Sequence, residues 1–466
     1  MMPTLAVVGQ PNKGKSSIVA TMAENTQVAI SPVPGTTRAA DHFTLKVNGE
    51  ALYDLIDTPG FQRAGQVHQW LQTHESDASS RADVVRQFVE QHGADNKFAD
   101  ECALLQPIID GAGILYVVDG SKPYGPEYEL EMDILRWTGQ PRMALINMIG
   151  SGDYRDAWRA GLGQYFSIVR EFNAHQASFS QRIALLRAFA EIEENWRVPL
   201  YRSADVLEAE RKRQLRRASD TVADLLQTAT AARIDKPVSQ ESPTAEEESQ
   251  LQHELTQRLH NTIRQAEARA QQQIQQIYRH DRSHFSTQAL ELLDTDLFTE
   301  RSWQLFGLSK TQLLATGAVS GAVAGGTVDL LVGGSSLLLG SVVGSALGSL
   351  TAWFGAPELA KLKVLGVPLG GATASVGPIK DTNFPWVLLG RACLHHTLIS
   401  ERNHAVRETL LASFEQSEHF FDFLSTSERN DLERGFTQLR KDPGSKEQLS
   451  KTIAHTLNRH KQHRTT

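Results

Sequence analysis

Gly9-Gln10-Pro11-Asn12-Lys13-Gly14-Lys15-Ser16 is the stretch that decides the reading of this chain. Before it, Pro3-Thr4-Leu5-Ala6-Val7-Val8 is a short apolar run that reads as a buried strand. After it, Ser17 to Met22 reads as a helix. The octapeptide fits the spacing G-x-x-x-x-G-K-[ST] in a strand–loop–helix setting. Glycines at these places let backbone N–H groups wrap a phosphate, and the following helix adds its positive N-terminal end. The lysine supplies a charge to the β- and γ-phosphates, and the hydroxyl is a ligand for Mg²⁺. Gly9, Asn12, Lys13, Gly14, Lys15, Ser16 and Ser17 are therefore the expected nucleotide-binding positions. Lys15 is a candidate catalytic charge and Ser16 a candidate metal ligand. Eight residues can match by chance, so the rest of the chain must support the reading.

Two further motifs follow in order. Asp57-Thr58-Pro59-Gly60 ends the strand-like run Leu52-Tyr53-Asp54-Leu55-Ile56-Asp57. Asp57 is expected to hold Mg²⁺ through water, and the Gly60 N–H to sense the γ-phosphate. Between the motifs lies Pro34-Gly35-Thr36-Thr37-Arg38. A threonine there can close over the metal and the γ-phosphate; Thr37 is favoured, with Thr36 as the alternate. Alone, such a loop would more often be a turn. Thr37 and Gly60 join Lys15 as candidate catalytic residues, and Ser16, Thr37 and Asp57 form the candidate metal set.

GQPNKGKSS, PGTTR and DTPGF, in this order and spacing, resemble the Era/TrmE/EngA group of bacterial GTPases across roughly residues 3–195. The resemblance implies a Ras-like α/β fold, GTP and GDP as ligands, Mg²⁺ as cofactor and a switch gated by the γ-phosphate. It also implies that no glutamine orients the attacking water from the residue after DTPG, which here is Phe61. Some members of the group use K⁺ held partly by a P-loop asparagine, and Asn12 stands at that position.

The guanine-reading motif N-K-x-D departs from the group. After the strand-like run Met143 to Asn147, the chain reads Asn147-Met148-Ile149-Gly150. The asparagine is kept, and the aspartate that accepts from the guanine N1–H and 2-amino group is lost. Losing such a reader weakens base choice. Asp153, three residues beyond, is a candidate replacement. Further on, Asn173-Ala174-His175 stands where the resemblance expects Ser-Ala-Lys, which makes Ala174 a candidate contact for guanine O6; a plain strand-end turn is the other reading.

Composition bounds the rest. The chain has 466 residues, 40% apolar and 22% charged, enough for two or three domains. A net charge of −7 argues against a partner gripped through nucleic-acid phosphates. Two cysteines make a disulfide framework unexpected. No basic, apolar leader opens the sequence, so a cytoplasmic protein is expected.

Strand-like runs at 3–9, 52–57, 113–119 and 143–147 alternate with helical stretches, which implies a parallel sheet covered on both faces. Residues 61–109 read as a helical insert, with Val84, Val85, Phe88, Val89, Leu104, Leu105 and Ile108 at helical spacing. The expected organisation is a P-loop GTPase domain over 1–196, a helical region over 197–305 with a polar linker at 235–249, and a C-terminal domain over 306–466. Within the middle region, 203–230 and 250–280 read as long helices, either a coiled-coil hairpin or two members of a bundle. Residues 364–378 read as a β-hairpin. The part beyond the G domain resembles the C-terminal domain that follows an Era-like G domain in one bacterial family, which implies architecture rather than activity. It carries no GXXG motif in a basic setting, so an RNA-binding KH module is not expected.

Residues 311–356 stand apart. Thr311 to Val328 and Leu330 to Pro357 carry no charge, with Asp329 between them. Gly317, Gly321 and Gly325 recur every fourth residue, as do Gly340, Gly344 and Gly348, which gives a smooth helical face. The stretch reads as a Gly-rich hydrophobic helical hairpin, either inserted in a membrane or packed inside an α domain. His395, His396 and His404 read as structural or surface residues. Arg459 to Arg464 reads as a frayed basic end, and Asp119 as a turn-former.

The sequence thus points to a GTP-driven, GTP-hydrolysing switch that works at a membrane, with lipid or a membrane protein as partner and a cytoplasmic or inner-membrane location. A nucleotide-dependent dimer is compatible with it. A ribosome- or RNA-associated assembly GTPase and a nucleotide sensor with little turnover are the alternatives.

Overall fold

Leu5 and Val7 point to one side of the first strand, and Ala6 and Val8 to the other, as the two-residue period of a strand requires. Both sides are apolar, so the strand must be covered on both faces, which is the pattern of a parallel sheet. In the computed structural model this is what happens. The structure describes residues 2–23, 41–94, 96–174, 177–238, 244–278, 294–308, 363–364, 367–368, 372–400 and 420–465. They fall into two units, Met1–Arg211 and Lys212–Thr466.

In the first unit, β1 (Thr4–Val8), β2 (Asp41–Val47), β3 (Glu50–Asp57), β4 (Gly113–Asp119), β5 (Arg142–Asn147) and β6 (Ile168–Glu171) form a six-stranded sheet in the order β2-β3-β1-β4-β5-β6. The β2–β3 pair is antiparallel and the others are parallel. Between them lie α1 (Lys15–Met22), the insert helices α2 (Ala64–His74), α3 (Arg81–His92) and α4 (Ala99–Ile109), then α5 (Glu127–Trp137) and α6 (Arg155–Leu162). Helices α7 (Phe179–Ala190) and α8 (Glu194–Ala231) follow. On one face of the sheet, Leu5 and Val7 share a core with Ile18 and Val19 of α1, Leu115 and Val117 of β4, Phe189 and Leu200. On the other, Ala6 and Val8 share a core with Val67, Phe88, Leu105, Met132 and Trp158. The insert therefore builds the second face of the sheet together with α5 and α6. The chain order reverses beside β1, which makes the carboxyl ends of β1 and β4 the place where an open α/β sheet takes its ligand.

The division of the chain differs from the sequence reading. Leu200, Ala204 and Leu207 of α8 are buried in the first unit's core, so that unit runs to Arg211 instead of ending near 196. The expected boundary near 305 is not a boundary either. Val222 and Leu226 of α8 share one core with α9 (Ala245–Tyr278), α10 (Glu300–Phe306), α11 (Phe384–Ser400), α12 (Thr426–Lys441) and α13 (Lys446–Thr465). A shared core also favours the bundle over a separate coiled coil.

The polar linker expected at 235–249 is corrected in the same way. Ile234–Val238 is a strand, β7, and a helix already starts at Ala245. Short strands β8 (Lys363–Val364) and β9 (Val367–Pro368) pair with each other. β10 (Ala372–Val376), expected in that same hairpin, pairs instead with β7, antiparallel. The C-terminal end is not frayed. His460 is fully buried on α13, stacked on Phe420 at 4.8 Å and hydrogen-bonded to Thr397 Oγ1 at 2.8 Å. His395 and His396 are buried on α11, and His396 Nε2 meets the Tyr278 hydroxyl at 2.8 Å, so their role is structural and not superficial. Beside them Arg391 forms a buried ion pair with Glu267 at 2.5 Å. The hairpin expected at 311–356 and His404 lie outside the described residues. Among the described residues, no helix is long and apolar enough to cross a membrane.

Candidate nucleotide site

The loop after β1 takes its shape from residues that tolerate unusual backbone. Gly14 has φ +85° and Asn12 has φ +61°, both in the left-handed region. A Cβ on Gly14 would lie 2.3 Å from Asn147 Nδ2, so the position needs glycine on both counts. Asparagine is one of the few other residues that enters this region at modest cost. α1 starts at Lys15, directly after the loop.

Lys15 folds back over the loop. Its Nζ donates to the carbonyls of Gly9 and Gln10, both at 3.0 Å. Burial pushes its pKa down to about 8, against the pull of Asp57 and Glu131, which raise it. The ammonium thus sits where a phosphate would be cradled, poorly hydrated and short of full charge compensation.

Ser16 and Asp57 come together across 41 residues of sequence. The Ser16 hydroxyl donates to Asp57 Oδ2 at 2.6 Å. Asp57 is buried, and the next residue is anchored too, since the Thr58 hydroxyl donates to the Val7 carbonyl at 2.7 Å. A hydroxyl beside a buried carboxylate is an oxygen-only donor set that suits a hard cation such as Mg²⁺. Thr37, expected to complete that set, and its alternate Thr36 lie outside the described residues.

Asn147 does not reach outward to a base. Its Nδ2 donates to the Lys13 carbonyl at 3.1 Å, and its Oδ1 accepts from the Ala174 N–H at 3.4 Å. One buried amide therefore ties β5 to the phosphate loop and to the turn after β6. The Ala174 N–H, expected to face guanine O6, is directed to Asn147. Lys13 is buried with its Nζ over the Tyr128 ring at 5.5 Å. Ser17 is buried and Asn12 is exposed. Asp119 accepts from the N–H and hydroxyl of Ser121, at 3.0 and 2.6 Å, and forms a turn as expected.

Asp153, the candidate guanine reader, is turned to a neighbour in this structure. Its carboxylate is closed on its neighbour Arg155, with Nη2 at 2.7 Å and Nε at 2.9 Å. Arg155 in turn reaches Glu171 at 3.0 Å. These hydrogen bonds hold the Asp153 pKa down to about 2. The residue is an exposed member of a surface ion-pair chain.

Two carboxylates escaped the sequence reading. Glu131 on α5 lies behind the phosphate loop, buried, and accepts from the Tyr116 hydroxyl at 2.8 Å. Burial pushes its pKa up to about 7, against hydrogen bonds from Gln10 and Tyr116 and the nearby lysines. Glu101 on α4 is fully buried and accepts from the backbone N–H groups of Gln62 and Arg63, at 3.0 and 2.6 Å. The signal for both was present: each acid stands on the apolar stripe of its helix, beside Tyr128, Met132 and Leu135 in one and Leu104, Leu105 and Ile108 in the other. Phe61 is buried in the same core as Phe98 and Cys102.

Residues 4–148 match the family described as "50S ribosome-binding GTPase". Residues 159–465 match the family described as "Domain of unknown function (DUF3482)". A GTPase Der from Paraburkholderia phymatum is 26% identical over 167 residues, which is 35% of this chain and 31% of that protein. A GTPase Der from Chlorobaculum tepidum is 42% identical over 78 residues, 17% of this chain and 18% of that protein. The chain spans less than a third of the length of these relatives. Among solved structures, an Aquifex aeolicus Era variant bound to GDP and AlF4⁻ is 16% identical and covers 59% of this chain and 89% of its own, with a TM-score of 0.30. The chain thus carries a P-loop GTPase domain at residues 4–148, similar to part of the GTPase Der proteins, followed by a separate C-terminal domain matched over 159–465.

Proposed function

The chain belongs to the DUF3482 family and carries a GTPase domain ahead of that region, and from this we propose that it is a switch driven by GTP binding and hydrolysis. The observation that carries the reading is the convergence on one loop of Lys15 and the Ser16–Asp57 pair. Lys15 supplies charge to the β- and γ-phosphates. Ser16, Asp57 and Thr37 would hold Mg²⁺, which would supply positive charge to the phosphate oxygens. Gly60 reads the γ-phosphate, and Asn12 contributes to a K⁺ site. Phe61 is apolar and buried, so the water-orienting group comes from elsewhere in the protein or from a partner. Phosphate release from GTP by the purified chain, measured in K⁺ and in Na⁺ with Lys15→Ala as control, tests this. Release that depends on Lys15 and on Mg²⁺ supports the reading; release unchanged in Lys15→Ala removes it. Equal turnover in Na⁺ and K⁺ removes the K⁺ site alone.

Two observations bear on where the switch works. The uncharged, glycine-spaced stretch 311–356 favours a membrane partner. The match of residues 4–148 to a ribosome-binding GTPase family favours a ribosomal one. We take the membrane as the first reading. Sedimentation with liposomes of anionic lipid, and not with ribosomes, supports it; the reverse result selects the ribosomal reading.

A further inference from the structure

The segment that follows β3 is fastened at both ends. On the near side, Thr58 is bonded to Val7, and Gly60 rests against the phosphate loop. A Cβ on Gly60 would lie 2.6 Å from Pro11 Cδ and 2.7 Å from Pro11 N, so only glycine permits this approach. On the far side, the two N–H groups of Gln62 and Arg63 converge on Glu101 Oε1. The Arg63 guanidinium adds a bond to the Lys97 carbonyl at 2.8 Å, just ahead of α4. Phe61, between the two fastenings, is sunk among the insert's apolar residues.

Glu101 is a costly way to hold a loop. It has no exposed surface, and its Oε2 has no hydrogen-bond partner among the described residues. A buried carboxylate with one oxygen unsatisfied costs more than an apolar side chain of the same size. What it achieves is specific: it fixes the backbone two and three residues beyond Gly60.

We propose that Glu101 is a positioning residue for γ-phosphate recognition, through which the inserted helices set the place of Gly60. The proposal rests on the reading of Gly60 as the γ-phosphate sensor. It follows that the insert is energetically linked to the triphosphate state and not to the diphosphate state. Movement of α4, by a partner or otherwise, changes triphosphate affinity first.

The test uses the full chain with Mg²⁺ and compares GDP with a non-hydrolysable GTP analogue by calorimetry. Glu101→Leu removes both acceptor oxygens. Glu101→Asp keeps the carboxyl group and draws it back by one methylene. In both, affinity for the triphosphate analogue is expected to fall about tenfold or more, the scale set by two charge-assisted hydrogen bonds that position the backbone beyond Gly60. Affinity for GDP stays within about twofold, since Gly60 touches only the γ-phosphate. Glu101→Gln, which keeps an acceptor oxygen, recovers most of the loss. Should Glu101→Leu not fold, Glu101→Asp carries the comparison. Equal losses for both nucleotides, or no loss for either, overturn the proposal while leaving GTP binding intact. Absence of binding in the wild-type chain overturns the nucleotide reading, and this one with it.

Discussion

The Ser16 hydroxyl donates to the Asp57 carboxylate at 2.6 Å, joining the first turn of α1 to the end of β3. The pairing brings two of the three candidate Mg²⁺ ligands to one point. Ser16→Ala should therefore remove the gain in GDP affinity that Mg²⁺ brings, by about tenfold or more, while affinity in the presence of a chelator changes little. Calorimetry with and without Mg²⁺ checks this. A full Mg²⁺ effect in Ser16→Ala would take the residue out of the metal set.

Lys15 makes nucleotide affinity sensitive to alkali. With its pKa lowered to about 8, the nucleotide-free chain loses this positive charge as pH rises through 8. Bound phosphate favours the charged form, so binding near that pH takes up a proton. Affinity should be flat below about pH 7.5 and fall by up to about tenfold per pH unit above 8. Isothermal titration in buffers of different ionisation heat reads the proton directly. A pH-independent affinity to about pH 9.5 would contradict it.

Glu131 predicts a slope in stability. Its pKa is raised from 4.5 to about 7, so between those values the folded chain holds a proton that the unfolded chain has released. Stability therefore falls as pH rises through this window and levels off above it. Glu131→Gln should lose that part of the slope and be more stable relative to wild type above the window than below it. Thermal unfolding of both proteins across the window decides it, and parallel curves would sink the assignment.

Base choice should be loose at the edge that the lost aspartate read. Gly150 stands at that place, and Asp153 is held by Arg155. GDP and IDP differ only in the 2-amino group and should bind within about threefold, where a carboxylate reader would separate them by more than about tenfold. Asp153→Asn should leave the ratio unchanged. A strong GDP preference lost in Asp153→Asn would restore the residue as reader.

Much of the first unit was legible because its signals are local. The phosphate loop lies within eight residues, and β1, β4 and β5 are apolar runs covered on both faces. β2 was not read, because Asp41–Val47 is an edge strand whose first four residues are exposed or only half-buried and carry no clear stripe. β7 reads as linker for a similar reason: Ile234-Asp235-Lys236-Pro237-Val238 is short and charged, and its partner β10 lies far away in sequence, at Ala372–Val376. Glu101 and Glu131 needed the tertiary structure, since helical spacing marks them as misplaced acids without saying what they face. The Asn147 amide shows the converse. Its identity was legible, but its link to Lys13 and Ala174 joins three separate stretches of chain.

The proposed switch depends on guanine nucleotide binding through the loop Gly9–Ser16. Calorimetry of the full chain with GDP and with ADP, in Mg²⁺ and K⁺, alongside Lys15→Ala, examines that step with nothing in between. The expected result is saturable binding of GDP, weaker binding of ADP, and loss of about 100-fold or more in Lys15→Ala, where the charge on the β-phosphate is gone. Absent binding, or binding indifferent to Lys15, would contradict it.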